Sequence, residues 1–216
     1  RHQMVYGSLG EKMQSENGKT KTQQTVVSFV LDESASMRRT AIETVEGFNE
    51  YMASLKEDPS STILHLVTFN TKRRSVLYNF EDLKGISDLD VLGYMPTGGT
   101  PLLDAVGTTI ESTENYILRS GLEDPQVIVT ILTDGMENAS HVFTEKDVSK
   151  LIAEKEKDGW SFTYLGAGPA TWEQGRGMGM RRRNMSEFDP SNPKKAFRRS
   201  ARGVINLKQY WRENRI

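Results

Sequence analysis

The 216-residue chain has no cysteine, which excludes disulfides and thiolate metal sites and leaves oxygen and nitrogen as the available ligand atoms. Histidine is scarce, at three residues: His2 in a polar N-terminal stretch, His65 inside an apolar run, and His141 after an acidic turn. Such scarcity disfavours chemistry that needs a positioned imidazole base. No apolar run is long enough to span a bilayer, so no membrane insertion is expected, and no leading segment resembles a signal peptide. A P-loop is also missing, which leaves the chain without that route to nucleotide hydrolysis.

What is present describes one globular domain with tails: 36% hydrophobic and 26% charged residues, enough to bury a sizeable core. The net charge of −1 conceals an asymmetry. From Arg176 to the end there are 12 Lys and Arg against 3 Asp and Glu, so that end carries +9 and the remainder −10. An uneven split of this kind marks either contact with an acidic partner or nucleic acid, or a basic helix lying on its own acidic domain, and the second reading is preferred. Residues 1–22 lack any helical or strand period and read as a polar arm. The division expected is an arm at 1–22, a domain at 23–190 and a basic helix at 191–216 packed on it.

The chain is organised around Gln24 to Met37. Thr25, Val26, Val27, Phe29, Val30 and Leu31 form a β-branched and apolar run, the pattern of a strand covered on both faces of a parallel sheet. It stops at Asp32-Glu33-Ser34-Ala35-Ser36. A carboxylate and two hydroxyls at alternate positions, at the carboxyl end of a central strand, supply hard oxygen ligands where open α/β folds bind ligands. This is the first part of a candidate metal site.

A helix from Thr40 to about Lys56 follows, with Ile42, Val45, Phe48, Met52 and Leu55 on its inner face. Ser60 to Asn70 reads as a second buried strand, and Arg73 to Tyr78 as its antiparallel hairpin partner. Gly98 and Gly99 allow close backbone approach to a ligand. Thr100 is placed at the cap and Pro101 at the first position of a helix carrying Leu103, Val106, Ile110 and Ile117 inward. Val127 to Thr133 is another doubly buried strand and ends on Asp134-Gly135. A helix at Glu145 to Asp158 and a strand at Trp160 to Leu165 come next. Gln174 to Met180 reads as a Gly-rich loop or short broken helix, Asn184 to Phe188 as a short strand, and Pro193 to Arg215 as a basic helix. This alternation predicts a doubly wound, mostly parallel α/β sheet with one antiparallel edge strand and helices on both faces.

Asp32-x-Ser34-x-Ser36, Gly98-Gly99-Thr100 and Thr133-Asp134-Gly135 together resemble the metal-ion-dependent adhesion site of von Willebrand factor A domains. The resemblance runs from about Gln24 to Leu165 in order and spacing, and Ser191-Asn192-Pro193-Lys194-Lys195-Ala196 is similar to prokaryotic and phage-borne members. It implies that Ser34, Ser36 and Thr100 offer hydroxyl oxygens while Asp32 and Asp134 act directly or through water. Magnesium is the cation expected, with manganese or calcium as alternatives. Glu33, Gly99, Asp104, Gly135, Glu137 and Asn138 are placed at the rim or behind the ligands. One departure is Ala35, which stands where many members have glycine.

The resemblance implies a module that binds another protein through an Asp or Glu accepted by the cation. A second class is a structural or assembly component, such as a virion part, scaffold or ATPase adaptor, making contacts through its arm and basic end; cytoplasmic or virion-associated settings suit both. A metal-dependent hydrolase is third, because no nucleophile and base pair is evident. Nucleic-acid binding rests on Arg181 to Arg183, Lys194, Lys195, Arg198, Arg199 and Arg202, with Tyr210 and Trp211 available for stacking.

Overall fold

In the computed structural model, which describes residues 24–214, the run after Gln24 forms β1 (Thr25–Asp32), buried at all eight positions. The reason is its place in the sheet. β1 lies between β2 (Thr62–Phe69) and β4 (Gln126–Thr133), parallel to both, with helices over each face. Apolar residues are therefore required on both sides of the strand. β3 (Arg74–Asp82) closes one edge as the antiparallel partner of β2, and β5 (Ser161–Gly166) and β6 (Met185–Glu187) extend the other in parallel. The order is β3-β2-β1-β4-β5-β6.

α1 (Ala41–Lys56) and α5 (Pro193–Asn214) cover one face. Phe29 from β1 meets Phe48 at 5.2 Å and Tyr51 at 5.3 Å, both edge-on, and Phe197 at 5.8 Å. α2 (Leu102–Ser120) and α3 (Glu145–Lys157) cover the other face, over Val26, Val30, Val127, Val129 and Ile131. α3 begins with a capping box in which Thr144 accepts from the Asp147 amide and Asp147 accepts from the Thr144 amide.

Three expectations need correction. Ile42 does not face inward but is 57% exposed, because the chain first makes a 3-10 turn (Ala35–Thr40) that rotates the start of α1. The Gly-rich stretch near Gln174 is the end of a real helix, α4 (Gly168–Gly177), whose glycines admit neighbours: a Cβ on Gly175 would meet Met185 Cε at 2.7 Å. The hairpin strand also runs further than Tyr78, to Asp82. The expected arm at 1–22 lies outside the described residues.

Much of the basic charge of α5 is paired within the domain. Lys194 reaches Glu46 at 2.8 Å and Glu50 at 3.3 Å, and Arg198 reaches Glu50 at 3.0 Å. Lys208 and Arg212 both hold the buried Asp58, at 3.0 and 3.1 Å. Arg181 meets Glu156 at 2.9 Å. α5 also needs Gly47 on α1, since a Cβ there would stand 2.5 Å from the Phe197 ring.

At the β2–β3 edge, His65 is buried beneath Phe80, ring centroids 4.0 Å apart, and Phe80 stacks in turn on Tyr116 at 4.1 Å. Phe80 has φ 56°, in the left-handed region that a bulky residue seldom adopts, and ring stacking on both sides offsets that cost. Burial, aided by the Arg74 charge, pushes the His65 imidazole down to about 4. The fold therefore holds His65 neutral while the unfolded chain takes up a proton below about 6.5. Stability should fall as pH drops from about 6.5 to about 4, by about 3 kcal/mol at most. Urea unfolding of wild type and His65→Phe across that range should show a growing deficit in wild type alone. Gly47→Ala should lower stability by about 1–3 kcal/mol at any pH in the same assay.

Candidate metal centre

The strand order reverses between β1 and β4: the chain winds outward from β1 through β2 on one side and from β4 through β5 on the other. Between their carboxyl ends lies the crevice where such sheets hold ligands. β1 ends on Asp32 and β4 on Thr133, one residue before Asp134, so both acids arrive at this crevice by register.

Asp32 is fully buried. Its Oδ1 accepts the Ser34 amide at 2.7 Å, and its Oδ2 accepts the Thr133 hydroxyl at 2.5 Å. The Ser34 and Ser36 hydroxyls lie 3.1 Å apart, and Ser36 donates to Asp134 Oδ1 at 2.5 Å. Thr100 joins them through Gly135. A Cβ at Gly135 would stand 2.8 Å from Thr100 Oγ1, 3.4 Å from Ser36 Oγ and 3.5 Å from Asp32 Oδ2. Three of the expected oxygens thus face one small space that any side chain at 135 would fill.

Burial pushes the Asp32 carboxyl up to about 6, against the lowering effect of hydrogen bonds from Thr133 and Ser34. Burial raises Asp134 as well, opposed by the Ser36 bond. Two carboxylates taken from water beside each other, with hydroxyls as neighbours, are short of positive charge. A hard dication would supply it. The donor set of two carboxylates and three hydroxyls fits such an ion, although among the described residues no three His, Asp or Glu side chains cluster in one place.

The remaining residues hold the loops. Glu33 points away from the crevice and is buried. Its Oε1 accepts from Arg73 at 2.9 Å and from the Met95 amide at 2.8 Å, while Asn70 donates to Oε2 at 3.3 Å. The Ala35 amide donates to Gly98 O at 3.0 Å, which ties the first loop to the second. Thr100 is not the cap of α2; Pro101 occupies that position. The open amides of α2 are met from the third loop: Glu137 Oε2 accepts from Leu103 N at 2.9 Å, and Ser140 Oγ from Asp104 N at 3.0 Å. Thr100 N donates to Asn138 Oδ1 at 2.8 Å. The Thr100 hydroxyl is left to face Gly135.

Asp104 returns the contact, accepting the amides of His141, Val142 and Phe143 at 2.8, 2.9 and 2.8 Å. Partial burial would raise its carboxyl, but these N–H groups outweigh it and hold the group below its ordinary range. His141 itself is exposed, on the loop that Asp104 fastens.

Several supports escaped the sequence reading. Tyr94 donates its hydroxyl to the backbone oxygen of Asp32, Thr71 Oγ1 accepts the Gly99 amide at 3.0 Å, and Gln174 accepts the Glu137 amide. Tyr94 alone left a trace in sequence, as an aromatic inside a polar segment.

A family model described as the von Willebrand factor type A domain matches residues 27–197. The chain belongs to that family. Among solved structures the VWA fold recurs in manganese-loaded Plasmodium vivax TRAP, at 14% identity and TM-score 0.54, covering 79% of this chain and 70% of that one. It recurs in the pilus adhesin SpaC of Lactobacillus rhamnosus GG, at 11% identity and TM-score 0.63, covering 86% and 30%. Proximal thread matrix protein 1 of the mussel byssus matches at 18% identity and TM-score 0.56, covering 86% and 46%, so this chain spans less than half of that protein. At such identities these likenesses establish the fold. Among curated protein sequences none matches significantly.

Asp104→Ala should free the three amides of 141–143 and cost about 1–3 kcal/mol. Hydrogen exchange should then lose protection at His141, Val142 and Phe143 while the β1 amides keep theirs.

Proposed function

We propose that this VWA domain is a protein-binding module whose crevice holds one divalent cation, magnesium first and manganese or calcium next, and offers it to an acidic side chain of another protein. Asp32, Ser34, Ser36, Thr100 and Asp134 would hold the ion. The observation that carries the reading is the space beside Gly135, faced at once by Thr100, Ser36 and Asp32.

When bound, the ion supplies a Lewis-acid anchor for a carboxylate. The chain's own residues do the rest. Asp32 and Asp134 contribute the only two charges among the five side chains, and the three hydroxyls neutralise nothing, which favours a further anionic ligand from outside. Ser36 is exposed and Asp134 half-buried, so the crevice opens on their side, whereas Asp32, Ser34 and Thr100 are buried behind them. The loops are tied to one another before any ligand arrives, which lowers the ordering cost of binding.

Hydrolysis has less support. His141 uses its backbone amide to fasten its loop to Asp104, and His65 is stacked in the core at the far edge of the α2 face. SpaC is named as a pilus adhesin and TRAP is manganese-loaded, which agrees in kind with a cation-dependent binding role, and no helix among the described residues is long and apolar enough to cross a membrane.

Magnesium or manganese should raise the melting temperature of the wild type, by about 2.7 kcal/mol of stability when the ion is at a hundred times its Kd. EDTA should reverse the rise, and Asp32→Ala and Ser34→Ala should show none. A wild-type protein whose melting temperature and titration heat ignore both ions would sink the reading.

A further inference from the structure

The crevice is bordered by chemistry that holding a cation does not require. On the segment that leads into Gly98, Met95 is 58% exposed; on the loop after β4, Met136 is 46% exposed. Single exposed apolar residues are ordinary on any surface. Here both stand on loops that form one site. The Met95 amide is fixed to Glu33, Thr97 N donates to Glu33 O at 2.9 Å, and this segment leads directly into Gly98 and Gly99. Met136 follows Gly135, the residue that faces the ligand oxygens.

Beyond the Met95 bank lies positive charge. Arg38 sends its guanidinium to Pro96 O at 3.4 Å, and Arg39 is its exposed neighbour. Lys72 is exposed on the β2–β3 turn, beside Thr71, which receives the Gly99 amide. Within the described residues Arg38, Arg39 and Lys72 stand in none of the ion pairs, whereas their neighbour Arg73 is paired with Glu33. Apart from the proposed ligands Asp32 and Asp134, the acids on the site loops, Glu33, Asp104 and Glu137, are all occupied by guanidinium or N–H donors. The rim therefore presents apolar surface and uncompensated cationic charge around an ion.

We infer that the crevice selects a protein segment in which the coordinating Asp or Glu sits beside a Leu- or Met-sized residue and a second acid. The apolar residue lies against Met95 and Met136, and the second acid faces Arg38, Arg39 and Lys72. Nucleic acid satisfies the charge but not the apolar banks. This selection rests on the cation-dependent reading above and adds the partner's chemistry to it.

The test uses the full chain with manganese and three fluorescein-labelled, C-terminally amidated peptides, Gly-Leu-Asp-Glu-Gly, Gly-Ser-Asp-Ser-Gly and the carboxylate-free Gly-Leu-Asn-Gln-Gly, measured by polarisation. Manganese affinity of every protein is measured alongside by calorimetry. The first peptide should bind about ten-fold tighter than the second, from about one buried apolar side chain and one charge contact, and the third should not bind. In Met95→Ser/Met136→Ser the ratio between the first two should shrink to about two-fold, and Met95→Leu/Met136→Leu should restore it. Arg39→Ser/Lys72→Ser should weaken the first peptide and leave the second unchanged. Equal binding of the first two peptides, or a ratio untouched by the rim substitutions, overturns the inference while manganese binding preserves the cation reading. Absence of manganese binding overturns both.

Discussion

A carboxylate buried at the end of the central strand is the constraint on which the site depends. Asp32 lies where the sheet reverses its winding, out of contact with water, and its oxygens are shared between the Ser34 amide and the Thr133 hydroxyl. Burying a charge is costly unless it is compensated, and two hydrogen bonds compensate it only in part. The raised affinity of Asp32 for a proton expresses the remaining deficit. Such a deficit favours any arrangement that brings positive charge to the crevice, and the neighbouring Asp134 adds to it.

Around that acid the three loops are built as one object. The first is tied to the second by Ala35 and Gly98, and the second to the third by Thr100 and Asn138. The third caps α2 through Glu137 and Ser140, while α2 fastens the third through Asp104. Helix ends leave backbone groups unsatisfied, and here those groups are met by side chains from a different loop instead of by the preceding residue. Thr100 is released from capping by this exchange. Its hydroxyl faces the crevice as a result.

Elsewhere the fold spends its charge internally. The asymmetry between the basic end and the acidic remainder is partly resolved in the pairs of Lys194 and Arg198 with Glu46 and Glu50, and of Lys208 and Arg212 with Asp58. These contacts, together with Phe197 over Gly47, make α5 part of the layer that covers β1. They also take several of the side chains on which a nucleic-acid reading rested. Among the described residues Arg38, Arg39 and Lys72, on segments next to the crevice, remain outside these pairs.

The doubly wound architecture was legible because β1 and β4 need apolar residues on both faces, a demand written directly in Thr25 to Leu31 and Val127 to Thr133. The acids at their ends were legible for the same reason, since a register that ends a strand also places the next residue. What sequence could not disclose was direction. Glu33 and Asp32 are adjacent, yet successive side chains leave a strand end on opposite sides, and only packing shows that one faces Arg73 and the other the crevice. Tyr94, Thr71 and Gln174 reach their partners across 62, 28 and 37 residues of chain, and no local pattern signals such a contact. Sequence alone determined which residue types stand at the ends of which strands, because burial and periodicity are local demands; tertiary structure decided which of their oxygens share one space, because that depends on how distant loops close over one another.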